Sequence, residues 1–311
     1  MDKTITILAE HSGKRLDTFL SETMVETSRA KIQKSIKDGS ILLNGKQVKP
    51  NKKVAEKDTV TISTDLTPPD PEAPLVPRAD IPLDVLHHDD DIIIVNKQNG
   101  LIVHPDRPEE TNTLANALIS HFPEIANVGE GLERPGIMHR LDKDASGIMV
   151  IGRNQKAYEN LKAQFRDRTV DKRYTVLIHG KPPDEEEGVV SFPIGRLKGT
   201  GKMAAHPTMK EGYREAVSRY TVIENYMHAT LVEVKTETGR THQVRVHMKA
   251  IGAPVVGDSI YTIKGTKTIA CGRLFLHAQK ITFTHPGTGE LITFEAPLPD
   301  ELKKVLRKLK Q

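Results

Sequence analysis

The sequence predicts an α+β protein: a mixed, largely antiparallel β-sheet domain preceded by a small α/β module. Three observations predict it. Strand-like runs outnumber helical ones and often follow one another directly, unlike the strict strand–helix alternation of a doubly wound sheet. Six prolines crowd residues 66 to 84, a composition that makes a stiff, extended linker. The texture changes across that stretch, from short lysine-rich segments to long apolar runs. The expected organisation is therefore a module over residues 1–65, a linker over 66–85 and a main domain over 86–311.

In the first module, SRAKIQKSIKDGS reads as a helix. Ser28 can cap its start, Ile32 and Ile36 share a face, and Gly39 can end it. ILLNGKQV follows as a hairpin with an Asn44-Gly45 turn, then DTVTIS as an alternating strand. In the main domain, DIIIVNKQNGLIVHP reads as two short strands around a turn. IMVIGRN, KRYTVLIHG, SRYTVIEN and HATLVEVKTE read as strands, and AYENLKAQFRDR as a helix. THQVRVHMKAIG predicts a helix ending at Gly252, TFTHPGTGELITFEA a hairpin through Gly287 and Gly289, and ELKKVLRKLKQ a basic C-terminal helix.

Composition narrows the function. Hydrophobic residues make up 37% and charged residues 28%, ordinary for a soluble globular protein. No apolar run of about 18 residues occurs, so no membrane span is expected. A single cysteine, Cys271, excludes an internal disulfide framework and a multi-cysteine zinc site, and fits a reducing cytoplasm. Net charge is only +4, but residues 28 to 53 hold eight Lys or Arg against one acid, Asp38. Arg29, Lys31 and Lys34 on the helix and Lys46 in the hairpin would form a basic face. That face suits a nucleic acid, or is a solvated lysine-rich surface.

Several site chemistries fail on spacing. IGRLKGTGKM has a Gly-Lys pair, but Arg196 and Met203 stand where a phosphate loop needs Gly and a hydroxyl. A glycine-rich basic hairpin is the better reading. His242 and His247 are five apart and share a helical face poorly, so a metal site is not expected. No nucleophile elbow occurs, and Cys271 has no evident basic partner.

What stands out is GIMHRLDKDASGIMV (136–150), where His139, Arg140, Asp142, Lys143 and Asp144 interrupt two apolar runs. HRLDKDASG resembles the signature loop of the RluA/RluD-type RNA pseudouridine synthases. NKQNGLIVHP (96–105), KRYTVLIHG (172–180), ETGRTHQVRVHMKAIGAPVVGDSIY (237–261) and LHAQKITFTHPGTGELITFEAPLP (276–299) resemble that family's other blocks, in order. Residues 15–20, 28–36 and 39–50 with Asp58 resemble the S4 RNA-binding module, with Lys57 where a Gly is usual. Ala145 and Gln98 replace the usual Thr and Pro; neither position bears a reacting group.

The resemblance implies isomerisation of uridine to pseudouridine on the fold of that family, with no cofactor and no metal. It assigns the reacting carboxylate to Asp142, with Arg245 as its charge partner and Tyr174 against the uracil. Arg140 would occupy the space left by a flipped nucleotide, Val244 would complete the pocket, and His139 would orient the loop. Flipping itself costs a few kcal/mol. The blocks PIGR, KMAAHP and ETGRTHQVRVHM look most like the large-subunit branch. The expected partner is 23S rRNA or an assembling large subunit, with tRNA second, and the protein is expected to act as a monomer. The rival readings are a non-catalytic ribosome-assembly factor and a metal-dependent RNA hydrolase.

Overall fold

The computed structural model describes residues 3–24, 29–63, 75–105, 110–197 and 199–310, with only the backbone of Arg29, Ala30, Lys31 and Lys34. The chain divides into two compact units, Met1–Glu72 and Ala73–Gln311.

The first unit contains β1 (Lys3–Thr6), α1 (Leu16–Thr23), α2 (Arg29–Asp38), β2 (Ile41–Leu43) and β3 (Thr59–Ile62). Its antiparallel sheet has the order β1-β3-β2. Ile32 and Ile36, one helical turn apart, pack with Leu16, Phe19, Leu20, Val54 and Val60 into one small core. Gly39 ends α2 at φ +87°, where a side chain would be strained. Asn44 and Gly45 both have positive φ, as a two-residue hairpin turn requires. The arm after the turn is no strand, however: Lys46 makes only a bridge to Leu43, and β2 pairs with β3 instead. The expected Ser28 cap lies outside the described residues.

The second unit is built on nine strands. They are β4 (Val85–His88), β5 (Ile92–Lys97), β6 (Ser146–Gly152), β7 (Asp171–His179), β8 (Glu187–Val190), β12 (Ser218–Asn225), β13 (Ala229–Thr236), β14 (Leu276–Thr284) and β15 (Leu291–Glu295). Their order is β4-β5-β6-β14-β7-β13-β12-β8, with β15 on β14. Every pair is antiparallel except β6–β14. A separate small sheet joins β9 (Ile194–Arg196), β10 (Met203–Ala205) and β11 (Tyr213–Arg214). The expected glycine-rich hairpin connects β9 to β10. The helices are α3 (Leu114–His121), α4 (Gln155–Arg166), α5 (Gln243–Ala250) and α6 (Asp300–Leu309).

The central strands read as unbroken apolar runs because both faces of the sheet are covered. Ile93, Val95, Met149, Ile151, Val176 and Ile178 pack with α3 and α5 residues such as Leu118 and Met248. Their neighbours Ile92, Ile94, Ile148 and Val150 pack with Leu161 of α4 and Phe283. Leu177 joins Phe275 and Leu302 of α6. The later part of the proline-rich stretch is packed too: Ile81 is buried, and Asn116 donates to the Val76 carbonyl. The expected second strand of NKQNGLIVHP is only a bridge, Ile102 to Thr113.

The parallel pair places the HRLDKDASG loop. At Gly147, φ is +120° and an added Cβ would lie 2.2 Å from the Ala278 carbonyl oxygen. Only glycine lets β6 come this close to β14. Beside it, Arg273 donates to Ser146 Oγ at 2.8 Å, Ser146 meets His277 Nδ1 at 2.9 Å, and His277 Nε2 meets the Ala296 carbonyl at 3.2 Å. The Ala296 carbonyl can only accept, so neutral His277 carries its proton on Nε2 and its Nδ1 accepts the Ser146 hydroxyl proton.

Gly147→Ala should therefore cost about 3 kcal/mol or more, since backbone must move as well as strain, and urea denaturation will read it. Burial lowers the pKa of His277 and of His247 below the ordinary 6.5. As pH falls below that value the unfolded chain takes up protons that the native one refuses, so stability falls. Thermal denaturation from pH 7.5 to 5 should show this loss, with a shallower slope in His277→Gln.

Candidate active site

The HRLDKDASG loop is gripped at several points. The Lys143 carbonyl accepts from Gly100 N–H at 2.8 Å and from Lys97 Nζ at 3.2 Å. Lys97 is 1% exposed and also donates to the carbonyls of Gln98 and Leu101. Burial first, and the Arg273 charge second, push its pKa down to about 7. Three carbonyl acceptors match the three protons of its ammonium form. The Ala145 N–H closes a turn onto the Asp142 carbonyl.

His139, at the start of the loop, is fixed by two contacts. Its Nε2 accepts the Val150 N–H at 3.1 Å, and its ring stacks on Phe165 of α4 at 4.5 Å. Lys172 lies over the same phenyl ring. Burial, with Lys172 adding to it, pushes the imidazole pKa down to about 3. The nitrogen that a general base would use is already occupied.

Arg245, on α5, is 2% exposed. Its Nε and one terminal nitrogen form a fork on the Asp258 carboxylate at 2.7 and 2.9 Å, and its remaining nitrogen reaches Asp142 Oδ2 at 3.2 Å. Burial works against both charges of the Arg245–Asp258 pair. The fork and the N–H groups of Ile260 and Tyr261 outweigh it, holding the carboxyl below and the guanidinium above its ordinary value. The Tyr261 ring lies under the guanidinium, 5.1 Å away.

Asp142 opens onto a cavity of about 520 Å³. Its lining includes Tyr174 of β7, Val244 and Leu276 on the apolar side, and Arg134, Arg140, Arg166, Arg168, Lys172 and Arg240 on the cationic side. Arg140 is exposed and Val244 buried. Burial pushes the Tyr174 phenol up to about 12, against a hydrogen bond to Thr236. The loop, β7 and α5 thus bring Asp142, Tyr174, Val244, Arg140 and His139 to one cavity, with Arg245 buried against Asp142.

The first unit carries basic residues of its own. Lys46 is exposed there with Lys37, Lys49, Lys52 and Lys53. A second cavity of about 630 Å³ is lined by Arg15, Gln33, Lys37, Gln47 and Lys49. The side chains of Arg29, Lys31 and Lys34 lie outside the described residues. Among the described residues, no three His, Cys, Asp or Glu gather as metal ligands would, and no helix is long and apolar enough to cross a membrane.

Comparison with known proteins fits this geometry. The family model described as RNA pseudouridylate synthase matches residues 91–250, which include the loop, β7 and the whole of α5. The chain belongs to this family. The synthase also matches the S4 domain over residues 14–60. It is 40% identical over 307 residues to an uncharacterized RNA pseudouridine synthase, YlyB, of Bacillus subtilis, covering 99% of this chain and 98% of that one. It is 35% identical to the ribosomal large subunit pseudouridine synthase D of Neisseria meningitidis, covering 98% and 81%. Among solved structures, human RNA pseudouridylate synthase domain containing 1 aligns at a TM-score of 0.57 and 25% identity, over 75% of this chain and 97% of that one. The synthase is an isomerase, and its substrate is RNA.

Two residues of the site escaped the sequence reading. Asp258 lies 13 positions beyond Arg245, and nothing in GDSIY marks it as that arginine's partner. Lys97 reads in sequence as a strand residue, not as a buried clamp. Asp258→Ala leaves a buried guanidinium with one partner and should cost about 3–5 kcal/mol, measured by equilibrium denaturation.

Proposed function

We propose that this synthase converts uridines of large-subunit ribosomal RNA to pseudouridine, with Asp142 as the reacting carboxylate. The observation that carries the reading is the placement of Asp142. It is half-buried at a cavity wall, ion-paired to a buried arginine, and shares the cavity with Tyr174 and a rim of cations. The name and near-full-length identity of the Neisseria relative support the ribosomal substrate.

The reaction breaks the N1–C1′ bond and forms C5–C1′, while C5 loses a proton and N1 gains one. Nothing is oxidised and nothing is added, so side chains suffice and no cofactor is invoked. Asp142 assists glycosidic cleavage, by attack or by proton abstraction. Arg245 stabilises its charge and limits its rotation. Tyr174, a neutral phenol over the working pH range, packs against the uracil, and Val244 closes the apolar side. Arg140 fills the space left by the flipped nucleotide, offsetting the few kcal/mol of unstacking.

The S4 unit, with Arg29, Lys31, Lys34 and Lys46, adds affinity through phosphate contacts that carry little sequence information. The organisation proposed is an S4 module over 1–65, a linker beginning at 66 and a catalytic domain to 311. The synthase is proposed to act in the cytoplasm as a monomer, a reading supported by the gathering of Asp142, Tyr174, Val244 and Arg140 on one cavity of a single chain.

The test is pseudouridine mapping on unmodified large-subunit rRNA incubated with the pure protein and a chelator. New pseudouridines at discrete positions are expected, and Asp142→Asn should lower kcat by more than about 10³-fold. Activity on tRNA alone would move the substrate. Intact, bound and unmodified RNA would leave an assembly factor, and chelator-sensitive strand scission a hydrolase.

A further inference from the structure

Two non-glycine residues lining the cavity have positive φ, Arg168 and His242, and His242 is the one beside Asp142. It sits just before α5 at φ 56°, ψ 23°, in the left-handed region, and makes no side-chain cap to the helix. Such a conformation persists only where the surroundings enforce it. Here the imidazole is directed away from the helix end. Nδ1 meets the Tyr261 hydroxyl at 2.8 Å, and Nε2 lies 4.0 Å from Asp142 Oδ1.

The hydrogen-bond directions follow. Met203 N–H, on β10, donates to the Tyr261 oxygen at 3.0 Å. The Asp142 carboxylate facing Nε2 can only accept, which favours neutral His242 with its proton on Nε2 and the Tyr261 hydroxyl donating to Nδ1. Arg245 holds Oδ2 of the same carboxylate, so the two side chains face different oxygens. At 4.0 Å the histidine contact is not yet a hydrogen bond. Catalytic contacts of this kind tighten when substrate is bound.

We propose that His242, held at Nδ1 by Tyr261, is a positioning residue that holds the second oxygen of Asp142 during the reaction. Through Met203 it also links the carboxylate to the small sheet bearing the glycine-rich basic hairpin. This rests on the reading of Asp142 as the reacting group. The alternative is a packing contact between α5 and the small sheet, with no effect on the carboxylate.

Steady-state kinetics of the full chain on its modified RNA separate the two. Asn tolerates the left-handed region, and its oxygen can keep the Tyr261 proton, so His242→Asn removes only the donor facing Asp142. Its kcat should fall about tenfold, the rate equivalent of one modest charge-assisted hydrogen bond, with KM and melting temperature unchanged. Tyr261→Phe frees Nδ1 and should lower kcat in the same direction, and the double variant should be no slower than His242→Asn. Should His242→Asn fail to fold, Tyr261→Phe decides alone. A kcat within twofold of wild type, or losses that multiply in the double variant, would overturn the proposal. Asp142→Asn is measured alongside. If it retains activity, the reading of Asp142 itself fails; if it is inactive while His242→Asn is not, only the positioning role is lost.

Discussion

The guanidinium of Arg245 is the constraint on which the rest of the site depends. A cation 2% exposed is tolerated only with partners that satisfy both charge and hydrogen bonds. Asp258 supplies a bidentate fork, and two backbone N–H groups fix that carboxylate in turn. Asp258 is therefore a structural counter-ion, while Asp142, reached by the one remaining nitrogen and open to the cavity, is left available for chemistry. Two carboxylates on one guanidinium acquire different duties because one is buried and saturated and the other is not.

A second theme is the direction of proton donation. Gln243 donates to Ser218 Oγ, which meets His247 Nδ1, whose Nε2 meets the Phe192 carbonyl. The Arg273–Ser146–His277 chain has the same logic, as does Met203–Tyr261–His242. At His247 and His277 a backbone carbonyl, which can only accept, places the proton on Nε2 and leaves Nδ1 to accept from a hydroxyl; at His242 the Asp142 carboxylate stands where the carbonyl would be. The imidazoles serve as relays of orientation, and each is held in one tautomer by a residue distant in sequence.

Much of this was legible in the sequence, for reasons that particular residues make plain. The mixed, largely antiparallel architecture followed from strands that succeed one another without intervening helices. The helix ends at Gly39 and Gly252, the Asn44-Gly45 turn and the hairpin through Gly287 and Gly289 follow from local chemistry, which is short-ranged. The HRLDKDASG loop stood out because ionisable residues are costly between buried apolar runs. What stayed hidden depends on pairing across the chain. LANALISH gave no sign of α3, since its burial on every side erases amphipathic contrast. The edge strand Val85–His88 is short and mostly exposed. The Arg245–Asp258 fork, the Lys97 clamp and the His242 conformation all require knowing which segments meet in space.

The parallel contact of β6 with β14 also has a consequence for the order of events during synthesis. Ser146 and His277 are 131 residues apart, and β14 is the wall against which the start of β6 is set. A ribosome that has released residues 86–250 has exposed the whole reactive loop, yet the strand that seats it is still to come. Pairings of such long range are slow to form, and domains assemble as units once their last element has emerged. The nascent chain therefore carries its charged loop only partly seated until residues 276–284 have left the exit tunnel, so competence arrives late and all at once, with β14.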